Sequence, residues 1–516
     1  MSGSLEPKKG NKERIGMYLL FFLFAVSSSE FVRQIVPPLA TTRLQTKARN
    51  IMILNDCYGL PITTTSPEAL DWYNRGIRGL LGFHKDTAEC FERALAFDPH
   101  FNMARSHLGM AYFLDETAEQ VARAKECFTQ SCTAMEQLTD RERDVLETVQ
   151  MWAQGNAREA LARMHTALVA RPGEVTLLQK LYFAYFMQGM ADRMHEVVAS
   201  VVPHYPNDSH VLGMYSFSLE EMRDFARAFE FGNKARALNP TDAWSLHALA
   251  HCHYETGAFA GGVALLNEAL PQCDNVGFFR THLTWHHALF LWEQGKNQQT
   301  LAIYHQLFPD TSVMLPPNFV DAVTLLWRLN LSGVSTPSEW QALSPSLDKL
   351  RTLQTYLFNQ MHVALGLTGA HRTEWAAAYL ESLRSRVRPD RPGVVGEVAV
   401  PAIEGLLAYS KEDYRRAVDC LWPIRDRIVA IGGSHAQREI FVDILADACL
   451  RSGAYTEAVA LLEAKRQNRP DRPLALAVLE KAYIGIGETH KATDARASAQ
   501  RLWQTMGADL EVGNKR

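Results

Sequence analysis

The sequence predicts an all-α protein built from stacked helical hairpins, an α-solenoid, because turn and stop signals recur at one constant interval. Pro172, Pro206 and Pro240 follow one another at equal spacing. Residues that suit a turn between two helices keep the same spacing: they are Gly155, Gly189, Arg223 and Gly257. Near the C-terminus, Gly453 and Gly487 are separated by this interval again. A helix, a turn, a second helix and a closing proline within a period of about 34 residues are typical of tetratricopeptide repeats, which we expect to wind into a right-handed superhelix.

Each part of the period has a physical reason. A glycine after the first helix permits the left-handed backbone conformation that ends a helix. A proline after the second helix cannot donate the backbone hydrogen bond that would continue it. One hairpin cannot bury its apolar stripe by itself, so neighbouring hairpins stack and share a core. Asp242 is predicted to cap the helix that begins at Ala243, because its carboxylate can accept from free backbone N–H groups.

The repeat pattern divides the chain of 516 residues into five segments. Regular tetratricopeptide repeats are predicted over 52–308, and further helical repeats over 346–506. Between them, 309–345 contains the stretches PPNF and GVSTPSEW, for which we expect an irregular connection. Residues 1–51 form an N-terminal extension that the repeats do not require, and 507–516 are predicted to be a polar tail.

The N-terminal extension has the composition of a targeting segment, and three interpretations of it stay open. Basic residues precede the apolar run Met17–Val26, and small serines follow it, as in a secretory signal peptide. Residues 31–55 contain basic but no acidic side chains, as in an organelle transit peptide. Alternatively, Met52 is the true start of the protein, and the extension is an artefact of the assigned start codon.

Composition narrows the classes of function and location. The chain has 53 Lys and Arg against 57 Asp and Glu, a formal net charge of −4, so nucleic acid is not an expected partner. No apolar run reaches the ~18–20 residues of a membrane-spanning helix. The scattered cysteines form no CxxC pair, which favours a reducing compartment and hence the cytoplasm, with a secretory or organellar location as the alternative. The cysteines are Cys57, Cys90, Cys127, Cys132, Cys252, Cys273, Cys420 and Cys449.

Two neighbouring first helices carry histidines on the face that is expected to line the concave groove of the solenoid. With Gly257 at the fifteenth position of its repeat, one stripe of the first helix faces the groove. The residues of this stripe are Trp244, His247, His251 and Tyr254. With Gly295 in the same role, the next helix presents His282, Trp285 and His286. Each helix therefore carries a His-x-x-x-His pair, flanked by His253 and His287, and the two pairs are expected to converge.

Binding of a peptide segment or a small anionic ligand is the first interpretation of this groove. Histidine can donate hydrogen bonds to a carboxylate or phosphate, and the tryptophan and tyrosine side chains offer flat apolar walls. The grooves of repeat proteins commonly bind extended peptides by this combination. The alternative is a purely structural role for the histidines, in a scaffold without a small-molecule site.

A divalent metal ion is the second interpretation, with His247, His251, His282 and His286 as the candidate ligands. An i, i+4 pair of histidines presents two nitrogens on one helix face, and imidazole suits Zn, Fe, Cu and Ni. The same histidines could move protons in an enzyme, with or without the metal. The chain has neither the HExxH motif of zinc proteases nor the GxSxG elbow of serine hydrolases around these residues, so no catalytic residue is assigned.

Two further places are secondary candidates. The stretch Gly432–Arg438 reads as a loop that enters a helix, with Ser434 as its N-cap. The start of that helix could receive an anion with Arg438 adding charge, or Arg438 could pair with an acidic neighbour. Asn359 and His362 could complete the far wall of the groove if the solenoid curls, or could be a polar pair at the edge of the core.

Several blocks of sequence go beyond a generic repeat and resemble the tetratricopeptide repeat protein 38 family. The main blocks are NPTDAWSLHALAHCHYETG (239–257), HLTWHHALFLWEQG (282–295) and IGGSHAQRE (431–439), and the similarity is closest over Asn239–His253, His282–Ala288 and Gly432–Arg438. Further similar blocks are DCYGLPITTTSPEA (56–69), GMYSFSL (213–219) and FNQMH (358–362). The resemblance extends over nearly the whole chain except its first ~50 residues. It implies an all-helical protein and carries over no reaction, so no functional residue is assigned from it.

Overall fold

The computed structural model describes residues 51–113, 118–352, 356–469 and 472–506. The predictions for the N-terminal extension up to residue 50 and for the polar tail at 507–516 therefore lie outside the described residues.

The described chain begins with a small hairpin and continues as helices to its end, as the predicted all-α solenoid requires. The hairpin pairs β1 (Met52–Asn55) with β2 (Pro61–Thr64) in antiparallel fashion, Met52 lying opposite Thr64. The helices of the first half are α1 (Pro67–Gly82), α2 (Thr87–Phe97), α3 (Asn102–Phe113), α4 (Ala118–Ser131), α5 (Asp140–Ala153), α6 (Ala157–Ala170), α7 (Val175–Phe186), α8 (Ala191–Val201), α9 (Ser209–Glu221), α10 (Phe225–Leu238), α11 (Ala243–Glu255), α12 (Phe259–Ala269), α13 (Phe278–Glu293) and α14 (Asn297–Leu307). Those of the second half are α15 (Pro316–Leu331), α16 (Pro337–Ala342), α17 (Ser344–Leu350), α18 (Leu357–Gly369), α19 (Thr373–Arg384), α20 (Val400–Ser410), α21 (Tyr414–Leu421), α22 (His435–Ser452), α23 (Tyr455–Asn468), α24 (Pro473–Gly485) and α25 (Thr489–Thr505). None of the described helices is long and apolar enough to cross a membrane.

The turns within the hairpins lie where the repeat period predicts them. The predicted turn residues Gly155, Gly189, Arg223 and Gly257 all adopt left-handed backbone conformations, with φ between 63° and 86°. Each separates the two helices of a hairpin, so the tetratricopeptide-type architecture of this region is confirmed.

The period lengthens in the middle of the chain, which the sequence pattern did not predict. Beyond Gly257, the left-handed residues that end the first helix of each hairpin are Gly295, Gly333, His371, Glu412, Gly453 and Gly487. Successive members of this series lie further apart than the turns of the first repeats, and only the last two return to the original interval. Part of the added length lies in the first helices of the hairpins, since α13 and α15 each have 16 residues whereas α11 has 13.

The segment 309–345, predicted to be an irregular connection, contains the complete helix α15. Pro316 and Pro317, which led to the prediction of an irregular connection, lie in the first turn of this helix. A proline costs nothing there, because the first backbone N–H groups of a helix have no partner within it. The helix α15 is the first helix of a further hairpin and packs against α13 and α18.

The concave side of the solenoid, which the sequence predicts to be a ligand-binding groove, is filled by other parts of the same chain. From the N-terminal side, the end of α1 packs into it, and the indole N–H of Trp244 on α11 donates to the carbonyl of Leu81 at 3.1 Å. From the C-terminal side, α22 packs into it, and Arg328 on α15 donates to the carbonyl of Ala436 at 2.6 Å. The residues predicted to face a groove therefore face protein.

Candidate metal centre

Two adjacent first helices, α11 and α13, carry the four histidines of the candidate centre. The helix α11 begins at Ala243 because the side chain of Asp242 accepts the backbone N–H of Ser245 at 2.8 Å, as predicted for an N-cap. Its stripe then repeats every three to four residues, so His247 and His251 lie one above the other. The pair on α13 faces this stripe across the boundary between the two hairpins.

The four imidazole rings meet in one compact cluster. The Nε2 atom of His247 lies 3.0 Å from Nε2 of His251 and 3.2 Å from Nε2 of His282. The ring of His286 lies 4.5 Å from that of His251 and 4.8 Å from that of His282, centroid to centroid. One ring nitrogen of each histidine lies within 4.8 Å of those of the other three. The structure thus brings together the two pairs that the sequence expected to converge.

Two buried carboxylates contact the outer faces of these rings. Asp321 on α15 lies 2.9 Å from Nδ1 of His282, and Glu220 on α9 lies 3.7 Å from Nδ1 of His251. Burial would raise the pKa of Glu220, but His251 and His435 outweigh it and hold the value at about 2, so this carboxylate is ionised. For Asp321 burial is the larger effect and raises the pKa despite the neighbouring His282. Carboxylates behind histidine ligands are a common outer shell of metal sites.

The positions of the carboxylates determine which ring nitrogens carry protons. An ionised Asp321 can only accept from Nδ1–H of His282, and in that tautomer a neutral His282 presents the lone pair of Nε2 to the cluster. The anionic Glu220 favours the same tautomer for His251. His247 can supply one proton at Nε2 and can donate it to only one of these two neighbours. The inner nitrogens therefore hold more lone pairs than protons, an arrangement that a cation between them would stabilise.

Burial keeps the other two histidines in the form that binds metal. It is the main cause that holds the pKa of His247 well below the ordinary value, and the neighbouring His251 and His282 lower it further. The pKa of His286 is lowered for the same reasons. Both nitrogens of His286 and Nδ1 of His247 are buried without a hydrogen-bond partner among the described residues. Unsatisfied buried nitrogens are costly, and an ion within the cluster would use one nitrogen of His286.

The spacing of the nitrogens fits a tetrahedral ion. Four ligands at the ~2.0–2.1 Å of a Zn–N bond are about 3.3 Å apart in a tetrahedron. The two shortest separations in the cluster, 3.0 and 3.2 Å, are close to this value. Imidazole ligands suit Zn²⁺ and also Cu²⁺, Ni²⁺ and Fe²⁺.

The aromatic residues predicted to be groove walls are buried structural contacts. Trp244 and Tyr254 are enclosed; the hydroxyl of Tyr254 donates to Glu439 on α22 at 3.1 Å. Trp285 is also buried, and its ring stacks on that of His282 at 5.2 Å. Trp285 packs against the cluster, and none of these three side chains presents a surface to an external ligand.

The remaining sequence candidates lie outside the cluster. His253 packs against Phe229, 5.1 Å between ring centroids, and does not join the four histidines. Arg438 is buried and pairs with Glu221 at 3.4 Å, so protein groups engage the charge that was considered for an anion. Ser434 caps α22 by accepting the N–H of Gln437, as predicted.

Asn359 and His362 lie on α18, and His362 contacts the inserted helix α22. The Nδ1 of His362 lies 2.7 Å from the carbonyl of Phe358, and its ring lies 5.8 Å from that of Phe441. Asn359 is buried beside them on the same helix. These residues therefore lie where the solenoid curls onto α22.

Sequence reasoning missed both carboxylates of the centre. Glu220 precedes the turn residue Arg223 by three positions, which is the position that Tyr254 holds before Gly257. Extending the groove register back by one repeat would have found it. Asp321 lies in the segment taken as irregular, so no register was available for it.

Comparisons with known proteins do not assign the chain to a family. A scan against models of protein families finds no match. Among solved structures, a human IFIT1 dimer with m7Gppp-AAAA is 13% identical with a TM-score of 0.40, over 87% of this chain and 96% of that one. A tetratricopeptide repeat protein from Parabacteroides merdae is 13% identical with a TM-score of 0.35, over 52% and 98%. A complex of Naa15 and Naa10 bound to HypK-THB is 13% identical with a TM-score of 0.23, over 84% and 63%. The exclusion of nucleic-acid partners from the composition of the chain stays a prediction.

Proposed function

We propose that this tetratricopeptide-type protein binds one divalent transition-metal ion, Zn²⁺ in the first place, through His247, His251, His282 and His286. The convergence of three Nε2 atoms at 3.0 and 3.2 Å, with carboxylates against the outer nitrogens of two rings, carries the proposal. In a cluster of neutral imidazoles these inner nitrogens would leave lone pairs facing each other, whereas a cation uses all of them.

A structural role of the ion fits this site better than a catalytic one. Catalytic zinc sites keep an open position for water or substrate, and structural sites fill all four positions with protein ligands. Here four histidines are available, and three of them are buried. The side chain of His282 is 13% exposed and marks the side from which an ion can enter. An enzyme at this site would have to release one histidine to open a coordination position.

Such an ion would stabilise the stacking of neighbouring hairpins. It would join α11 to α13 directly, and α15 through the contact between Asp321 and His282. Binding to the folded state alone stabilises it by about 4 kcal/mol at a free metal concentration a thousand times the Kd.

The finer sequence interpretations remain proposals. The blocks at 239–257, 282–295 and 431–439 support membership of the tetratricopeptide repeat protein 38 family. Binding of a peptide or small anionic ligand would require a surface other than the face of α11 and α13, because α22 covers that face. A cytoplasmic location follows from the scattered cysteines and stays a prediction.

Metal content of the purified full-length chain tests the proposal. After supplementation with Zn²⁺ and gel filtration, we expect about one equivalent per chain by elemental analysis, and a lower melting temperature with a chelator. The double variant His247→Gln/His286→Gln should lose the ion, because two of the four ligands are gone. His107→Gln is the matched control: His107 is also buried, but it contacts Met103 and Thr176 far from the cluster.

The outcomes separate the alternatives. A parent protein that is folded and takes up less than about a tenth of an equivalent would remove the metal and leave a purely structural histidine cluster. Equal metal in the parent and in the double variant would place the ion elsewhere.

A further inference from the structure

We propose a second metal site, formed by Glu220 and Glu221 on α9 and by His435 at the start of α22. The Nδ1 atom of His435 lies 3.6 Å from Oε2 of Glu221 and 3.9 Å from Oε1 of Glu220. One donor atom from each residue lies within 4.8 Å of the other two. Glu220 also lies behind His251, but none of the three residues is a ligand of the four-histidine cluster, so the second site goes beyond the function proposed above.

Three polar atoms of this group, on Glu220 and His435, are buried without a hydrogen bond among the described residues. Glu220 is fully buried, and neither of its carboxylate oxygens has a hydrogen-bond partner among the described residues. The Nδ1 atom of His435 is in the same state. A carboxylate that is buried without hydrogen bonds is strongly destabilised, so a cation between these groups would relieve a large penalty.

The distances are those of ligands around an ion. At 3.6 and 3.9 Å the nitrogen and oxygen atoms are too far apart for direct hydrogen bonds. Two ligands that are each ~2.0–2.2 Å from a common metal lie about 3 to 4 Å apart, depending on the angle between them. Glu221 is held in position by the backbone N–H of His435, which donates to its Oε1 at 3.1 Å, and by Arg438 at 3.4 Å.

The alternative occupant is a proton. Glu221 and Glu220 raise the pKa of His435 although burial opposes them, so a protonated imidazole between two carboxylates would also balance the charge. Such a cation gains most from short hydrogen bonds to its partners, which the observed distances do not provide.

The ligand set indicates the class of metal. Two carboxylates and one imidazole are harder ligands than four imidazoles, which favours Mn²⁺ or Fe²⁺ relative to the zinc of the four-histidine centre.

The position of this site in the fold gives the ion a role that the four-histidine centre does not have. The four histidines lie on neighbouring hairpins, whereas the second site joins Glu221 to His435, 214 residues apart in sequence. An ion here would tie the inserted N-terminus of α22 to the inner wall of the solenoid. The second metal would therefore act as a clasp that keeps the concave side closed.

Metal stoichiometry together with hydrogen exchange tests this clasp on the full-length chain. The protein is stripped with chelator and titrated with Mn²⁺ and then Zn²⁺, and bound metal is counted by elemental analysis. We expect about two equivalents in the parent, and about one in His435→Gln and in Glu221→Gln, two variants that remove a ligand at similar volume. His195→Gln is the control, because His195 is a partly buried histidine that contacts Ser218 outside both groups.

Hydrogen exchange then reports the clasp itself. In His435→Gln, peptides from the N-terminal half of α22 should exchange about tenfold faster than in the metal-loaded parent. In His247→Gln/His286→Gln, with the second ion still bound, their exchange should stay as in the parent.

Each pattern of metal content decides both proposals. One equivalent that is lost only in the four-histidine variant overturns the clasp, makes a protonated His435 the buried cation and leaves the zinc centre standing. One equivalent that is lost only in His435→Gln and Glu221→Gln supports the clasp and removes the zinc centre. No metal in a folded parent overturns both.

Discussion

The chain closes onto its own concave side from both ends, and the two closing contacts use opposite chemistry. At the N-terminal contact, Phe83 stacks on Phe279 with ring centroids 4.6 Å apart, and Trp244 lies 5.4 Å from Phe83. At the C-terminal contact, Glu255 on α11 pairs with Arg469 and Glu293 on α13 pairs with Arg472, and both arginines also pair with Glu439 on α22. The first contact is aromatic, and the second is a buried network of charges.

The difference predicts how each contact responds to damage. An aromatic contact loses energy in proportion to the volume removed, because neighbouring side chains can partly fill the space. A buried ion pair fails more abruptly, because removal of one partner leaves the other charge without compensation in a medium of low dielectric constant. At the N-terminal contact, the loss of stability should therefore grow with the side-chain volume that is removed. At the C-terminal contact, removal of a single charge should already cost most of the stabilisation.

Removal of the central carboxylate should have the largest effect. In Glu439→Ala, the buried guanidinium groups of Arg469 and Arg472 lose the carboxylate that they share. Together with Lys465 they are three cations that keep, among the described residues, only Glu255, Glu293 and Asp443 as acidic partners. We expect a loss of about 3–5 kcal/mol, measured from the urea midpoint with chelator present throughout.

The matched control for this variant is Glu404→Ala. Glu404 pairs with the exposed Arg384, so its loss should cost less than about 1 kcal/mol. Similar costs for both variants would show that burial of the network does not matter, and the contrast between the two contacts would fail.

A smaller change is expected at the aromatic contact. Phe279→Leu keeps an apolar side chain of lower volume between Phe83 and Trp244. We expect a loss of about 1.5 kcal/mol or less under the same conditions. Phe97→Leu is the control, since Phe97 is 53% exposed and its replacement should change stability by less than about 0.5 kcal/mol. A loss equal to that of Glu439→Ala would contradict a graded contact.

The smallest expected effect is a change of the free energy of unfolding with pH, and it comes from a residue outside both contacts. Burial lowers the pKa of His107 from 6.5 to about 4. Between these values the unfolded chain binds a proton that the folded chain does not, so stability falls as the pH falls. Between pH 7 and pH 6 this residue should cost about 0.7 kcal/mol, a loss that His107→Gln should lack when urea midpoints are compared.

The C-terminal contact should be insensitive over the same range. Burial would raise the pKa of Glu439, but Arg469, Arg472 and Lys465 hold it well below its ordinary value. Its stabilisation is present above pH 4.5 and lost only as the pH falls further. The cost of Glu439→Ala should thus be equal at pH 7 and pH 6; a cost that shrinks at pH 6 would mean that this carboxylate already titrates there.

Much of the fold was accessible from spacing alone. The period through Gly155, Gly189, Arg223 and Gly257 encodes a helix, a turn and a second helix, and these depend on residues close in sequence. The same register identified the two histidine pairs, since residues three and four apart share one helix face. The helix α15 was missed because prolines that break a helix interior are harmless in its first turn.

The sequence by itself thus determined the hairpins, their stacking and the two pairs of histidines. Only the tertiary structure decided that the groove is filled, that Asp321 and Glu220 stand behind the histidines, and that His435 meets Glu221. Repeats encode contacts between neighbours, whereas Tyr254 and Glu439 meet across 185 residues of sequence and leave no periodic signal. Whether the solenoid stays open or closes depends on the accumulated curvature of all its repeats, and that curvature appears only when they are assembled.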